Sequence, residues 1–149
     1  MGRRMSADLF TYLVLLVMAL WAVAQTFAPY EGLSDAGCRL GHVYDGDTVE
    51  LICGDGRERA RIVGLDTPET RDAGCAEEAA LGARATDRLR KLVQGAQPGI
   101  TDLGHDKYQR RLIRLRLNGT DVAETLIAEG LAVAYDGGRR IDWCERLRT

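Results

Sequence analysis

Between Arg61 and Thr70 the chain reads RIVGLDTPET, an arginine on a short apolar run that ends abruptly in Asp66-Thr67-Pro68-Glu69. Ile62, Val63 and Leu65 have the branched, apolar character of a buried strand. Pro68 has no N–H and a fixed φ, so the strand stops at Asp66. Thr67, preceding a proline, is pushed to extended geometry, which frees its carbonyl to turn outward beside the Asp66 carboxylate. Two oxygens suited to a hard cation then lie side by side. Taken alone, the stretch also reads as a strand followed by an ordinary turn, since Asp, Thr and Pro are common turn residues. Arg61 and Asp66 are an odd number of residues apart, and an ideal strand would send them to opposite faces. Gly64 between them is the candidate for a bulge or sharp coil that brings them together.

Two other clusters carry groups of the same kind: Asp45-Gly46-Asp47-Thr48 and Asp106-Lys107-Tyr108-Gln109-Arg110. Singly, each has a plain structural reading. Arg61 can be a salt-bridged rim residue, Arg110 one more charge beside Arg111 and Arg114, and Glu69 the cap of the following turn. His42 and His105 are read as structural or solvated.

The elements that must position these clusters follow from pattern. HVYDGDTV places two β-like runs around Asp45-Gly46, a tight-turn signal, so Arg39 to Tyr44 and Thr48 to Ile52 form a hairpin. Gly54-Asp55-Gly56 turns the chain into the strand carrying Arg61. From Ala76 the period becomes helical, with Leu81, Ala85, Leu89, Leu92 and Val93 on one stripe and Gly95 as terminator. Ile100 to Leu103 and Arg111 to Leu117 are two more strands, followed by an Asn118-Gly119 turn. Asp121 with Glu124 three residues on resembles a capping box, opening a short helix that Gly130 ends. Five short strands with a helix between the third and fourth is the order of an OB-fold, a mainly β Greek-key barrel with added α.

Of the 149 residues, 46% are apolar and 28% charged, which fits one globular domain, residues 31–149, plus an N-terminal appendage, residues 1–30. Arg3 and Arg4 precede an uncharged apolar run from Leu9 to Ala24. It reads as an export segment: a signal peptide, with Ala22-Val23-Ala24 as the small-x-small cleavage pattern, or an uncleaved membrane anchor. The domain is therefore placed outside the cytoplasm, secreted, periplasmic or anchored. The chain has 20 basic and 22 acidic residues, and setting the appendage aside widens the acidic excess. A broad basic face for nonspecific nucleic-acid binding is excluded, so phosphate contacts must come from a few placed arginines. Cys38, Cys53, Cys75 and Cys144 suit two disulfides on the exported side. The hairpin brings Cys38 to Cys53, leaving Cys75 for Cys144. No C-x-x-C spacing supports zinc.

Read together, and in this order, the three clusters resemble the staphylococcal nuclease (thermonuclease) family from about Val43 to Tyr135. The resemblance implies a calcium-dependent nuclease acting on DNA or RNA. It implies that Asp47 and Asp66 give carboxylate oxygens to Ca2+, and Thr67 its backbone carbonyl. Arg61 and Arg110 match the phosphate-binding arginines, Glu69 the carboxylate that orients or deprotonates water, Tyr108 a phosphate-contacting tyrosine and Tyr135 a base-stacking one. The sequence departs from the family where Gln109 replaces a usual glycine and Gly137 a usual second tyrosine, and most of the family's last helix is missing after Trp143. The second reading is a noncatalytic OB module that binds nucleic acid or nucleotides.

Overall fold

Cys38 faces Cys53 and Asp45 faces Thr48 across the first hairpin, formed by β1 (Cys38–Asp45) and β2 (Thr48–Cys53). The computed structural model describes residues 7–27 and 37–148. β3 (Gly56–Ile62) continues the meander antiparallel to β2. β4 (Gly64–Asp66) then leaves that sheet and pairs with β8 (Val133–Tyr135). β5 (Pro98–His105) and β6 (Arg111–Leu117) form the second hairpin, and β6 lies parallel to β3. A two-residue strand, β7 (Thr120–Asp121), doubles back on β6 through Asn118 and Gly119, both at positive φ.

The strand order β1-β2-β3-β6-β5, with α2 (Ala76–Val93) between the third and fourth long strands, is that of an OB-like sheet. The expected closed barrel requires correction: among the described residues no pairing joins β5 to β1. β1 is interrupted by register shifts between Leu40 and Val43 and between Val43 and Asp45. Instead of β5, α2 supplies one of its polar partners, Arg90 Nη2 donating to the Val43 carbonyl at 3.3 Å.

The core forms where the inward faces meet: Leu40, Val49, Leu51 and Ile62 from the meander, Ile113 and Leu115 from β6, and Leu89 and Val93 from the α2 stripe. Gly95, at positive φ, follows the helix as expected. α3 (Val122–Ala128) adds Val122 and Leu126 to the core. The Asp121 carboxylate caps it through the Ala123 N–H at 2.8 Å rather than through Glu124. Both expected disulfides are formed, with Cα–Cα separations of 4.3 Å for Cys38–Cys53 and 5.9 Å for Cys75–Cys144. The latter ties the start of α2 to α4 (Trp143–Leu147).

Within the expected export segment, residues 7–27 form α1 (Ala7–Phe27), whose large apolar side chains from Phe10 to Val23 are exposed. The remainder of residues 1–30 lies outside the described residues. Among the described residues no helix is long and apolar enough to cross a membrane.

Candidate active site

Gly64 resolves the Arg61–Asp66 geometry. After Val63 donates its N–H to Ile113 O at 2.9 Å, Gly64 adopts a φ of 91°, and the chain turns out of the main sheet into β4. Such a φ suits glycine, which has no Cβ to clash. Arg61 and Asp66 therefore converge, with Nη2 3.4 Å from Oδ1, while Arg61 Nη1 lies 2.8 Å from Asp47 Oδ2. The register brings Asp47 there, since Thr48 faces Arg61 and Asp47 O accepts from Ile62 N at 2.8 Å. All three side chains are buried.

Helix α2 backs this group through two glycines. A Cβ on Gly46 would meet Thr67 Cγ2 at 2.8 Å and Ala85 at 2.9 Å, so only glycine lets the first hairpin turn seat against the buried Thr67. A Cβ on Gly82 would lie 2.6 Å from Pro68 O and 2.8 Å from Glu69 O, so the helix backbone presses directly on the Asp66–Glu69 loop. Glu78, also buried, accepts the N–H of Glu69 at 3.2 Å and of Gly74 at 2.8 Å, fixing that loop at both ends. Sequence reasoning passed over Glu78; the available signal was an acidic residue in the first helical turn directly after the loop.

Burial pushes the Asp47 carboxyl up to about 7; Arg61 pulls against that shift and Asp45 adds to it. Asp47, whose ion-pair partner among the described residues is Arg61, is thus short of positive charge. The donor set is all oxygen: the Asp47 and Asp66 carboxylates beside the Thr67 backbone. It fits a hard divalent cation and suits zinc poorly. Cys75, Glu78 and Cys144 also cluster within 4.8 Å, but a disulfide occupies both sulfurs.

Glu69, half-exposed at the rim, is paired with a residue that sequence reasoning missed. Arg140 Nη1 lies 2.6 Å from Glu69 Oε1, and Arg140 Nε lies 3.0 Å from Asp66 Oδ1. From the same segment, Trp143 Nε1 donates to Asp66 Oδ2 at 3.2 Å. The available signal was the Cys75–Cys144 pairing, which brings residues just before Cys144 back to the loop just before Cys75.

The third cluster faces the group across a cavity of about 1030 Å³, whose lining includes Arg61, Glu69, Tyr108, Arg110, Tyr135 and Arg140. Asp106 organises this wall: its Oδ1 accepts the N–H groups of Tyr108 at 2.8 Å and Arg110 at 2.9 Å, and its Oδ2 holds Arg110 Nε at 2.8 Å. Partial desolvation raises the Asp106 carboxyl, but the bonds from Arg110 and Tyr108 outweigh it and hold the group below its ordinary value. Arg110 therefore points along its own turn, with its guanidinium carbon 5.7 Å from the exposed Tyr108 ring. Gln109 adopts a φ of 62° where the family's glycine would sit without strain. The Tyr135 hydroxyl donates to Gly138 O at 2.7 Å, and the Arg61 guanidinium carbon lies 5.8 Å from its ring.

Residues 59–143 match the family described as staphylococcal nuclease homologue, and the chain belongs to that family. The match starts after Asp47. Over 100 residues the chain is 36% identical to Endonuclease YncB of Bacillus subtilis (strain 168), covering 64% of this chain and 47% of that protein. It is 35% identical over 100 residues to SPbeta prophage-derived endonuclease YokF of the same organism, covering 64% of this chain and 33% of that one. An uncharacterized endonuclease of Escherichia coli O157:H7 is 29% identical over 104 residues, which are 69% of this chain and 63% of that protein. The matched stretches thus span between a third and just under two thirds of these relatives.

Proposed function

We propose that this domain is a metal-dependent nuclease, with calcium as its ion, that hydrolyses phosphodiester bonds of DNA or RNA with little sequence preference. The observation that carries this reading is the convergence of buried Asp47 and Asp66 on Arg61, beside a cationic cavity with Glu69 at its rim. The family membership and the endonuclease names of the relatives support it.

Asp47, Asp66 and the Thr67 carbonyl would hold the ion, which when bound supplies positive charge against the phosphoryl oxygens. Arg61 brings its guanidinium from within the site, with Nη1 and Nη2 engaged by Asp47 and Asp66, and Arg110 brings a second from the opposite wall, with Nε and Nη2 held by Asp106. A phosphate between them meets their positive charge and their remaining N–H groups as charge develops on phosphorus. Glu69 orients a water molecule and accepts its proton as the water oxygen bonds to phosphorus. The ester P–O bond then breaks, and the leaving oxygen takes a proton from solvent. Exposed Tyr108 contacts phosphate and the Tyr135 ring offers a stacking face at the cavity, while few groups address base edges, which favours single-stranded or breathing substrate. Action outside the cytoplasm belongs to the same proposal and is supported by the two disulfides.

A noncatalytic OB module would have no need of Asp47, Arg61, Asp66, Glu69 and Arg110 together, and all five are present. Nuclease assays of the full chain on single-stranded DNA and RNA, with calcium or with chelator, separate the readings. Cleavage in calcium that chelator abolishes is expected. Cleavage undiminished without divalent cation would remove the metal from the account, and binding without cleavage would favour the noncatalytic module.

A further inference from the structure

Arg140 is the one side chain whose guanidinium, among the described residues, bridges Asp66 to Glu69. Its Nε lies 3.0 Å from Asp66 Oδ1 and its Nη1 lies 2.6 Å from Glu69 Oε1. Those two carboxylates have different tasks in the proposed reaction, one holding the ion and the other handling water. The bridge is anchored at its buried Asp66 end, while its Glu69 end lies at the exposed rim. Asp66 is 1% exposed, and the segment carrying Arg140 is held from both sides, by the β4–β8 pairing before it and by Trp143 and the Cys75–Cys144 disulfide after it. Arg140 itself is partly exposed and lines the cavity, so its charge is also felt where a phosphate would lie.

We propose that Arg140 is a positioning residue that fixes Glu69 relative to Asp66 and, by placing a permanent positive charge against Asp66, weakens the affinity of the carboxylate pair for a divalent cation. This inference rests on the nuclease reading. Two consequences pull in opposite directions. Removing the charge leaves Asp47 and Asp66 more negative and tightens ion binding, because a unit charge a few ångströms away in a partly buried site contributes on the order of 1 kcal/mol or more, about tenfold in affinity. Removing the fork also frees the Glu69 carboxylate to rotate, and a catalytic group displaced by about 1 Å loses on the order of tenfold to a hundredfold in rate. A side chain with a merely structural role would weaken binding and turnover together.

The test uses the full chain with Trp21→Phe, which leaves Trp143, hydrogen-bonded to Asp66, as the sole tryptophan reporter. Calcium is titrated by Trp143 fluorescence, and kcat is measured separately on a fluorescent single-stranded DNA. Arg140→Gln is expected to bind calcium about tenfold more tightly while kcat falls at least tenfold. Arg140→Lys keeps the charge and loses the two-carboxylate span, so its calcium affinity stays within about twofold of wild type while kcat remains low. Unchanged calcium affinity and kcat in Arg140→Gln, or a parallel loss of both, would overturn the inference while leaving an active, calcium-dependent parent intact. A parent that neither binds calcium nor cleaves DNA would contradict the nuclease reading first, and this inference with it.

Discussion

Trp143 and Asp66 lie 77 residues apart, yet the indole Nε1 donates to the buried carboxylate Oδ2 at 3.2 Å. The bond spans from the last short helix to the end of β4, and the Cys75–Cys144 disulfide sits directly beside it. Opening that disulfide should therefore be felt in the site as well as in stability. Cys144→Ala is expected to lower kcat several-fold or more, because Arg140 and Trp143 lose their anchor. Cys38→Ala, at the far end of the first hairpin, should leave kcat within about twofold. In the chain-entropy account the longer loop, with a separation of 69 residues against 15, contributes more stability, by roughly 1 kcal/mol. Paired kcat and thermal-unfolding measurements on the two variants check this; equal effects on kcat would disconnect the disulfide from the site.

Glu78 holds the backbone N–H groups of Glu69 and Gly74 with its two carboxylate oxygens. Glu78→Gln retains the shape but offers only one acceptor oxygen, so one end of the loop is released. The expected result is a loss of about tenfold in kcat, with calcium affinity at Asp47 and Asp66 changed by less than about threefold. Glu78→Ala should lose more of both, and the destabilisation should appear as a lower Tm. A Gln variant with full kcat would show that the loop holds Glu69 without Glu78.

Asp106 supplies a pH dependence with a definite sign. Its carboxyl titrates below the ordinary value of 3.8 because it accepts bonds from Arg110 and Tyr108. A depressed acid stabilises the folded state above its unfolded pKa and loses that contribution as pH falls through its folded pKa. The stability difference between wild type and Asp106→Asn should thus be constant above about pH 5 and should shrink progressively below about 3.8. At neutral pH the Asn variant should also lose about tenfold in kcat/KM, since Arg110 is no longer aimed by a charged partner. A stability difference that grows on acidification would reverse the assigned role.

Much of this arrangement is legible from local sequence, and the rest is not for identifiable reasons. The Asp45-Gly46 turn sets the first hairpin and so the Cys38–Cys53 pairing, because strand register follows from the turn. The α2 stripe is a periodic signal over 18 residues, long enough to read directly. Gly64 between Arg61 and Asp66 announces its own kink. By contrast β8 is three residues long, and Val133-Ala134-Tyr135 carries no alternation with which to recognise it. The lack of a β5–β1 pairing, the register shifts in β1 and the reach of Arg90 to Val43 are all long-range matters that local pattern does not carry. Arg139-Arg140 looks like any solvated basic pair; only folding across about seventy residues of chain sets one of them on Asp66 and Glu69.

The most direct test of the central claim is kcat as a function of calcium concentration for Asp47→Asn, Asp66→Asn and Glu69→Gln, each on the same single-stranded DNA. The two aspartate variants should have weakened ion binding, so that added calcium partly restores their rate, although Asp66→Asn also loses part of its grip on Arg61, Arg140 and Trp143. Glu69→Gln should bind calcium and substrate nearly as wild type, with a low kcat that no amount of calcium restores, the pattern of an interaction made in the transition state. Calcium rescue of the Glu69 variant, with none for either aspartate variant, would contradict the assignment of ligand and base.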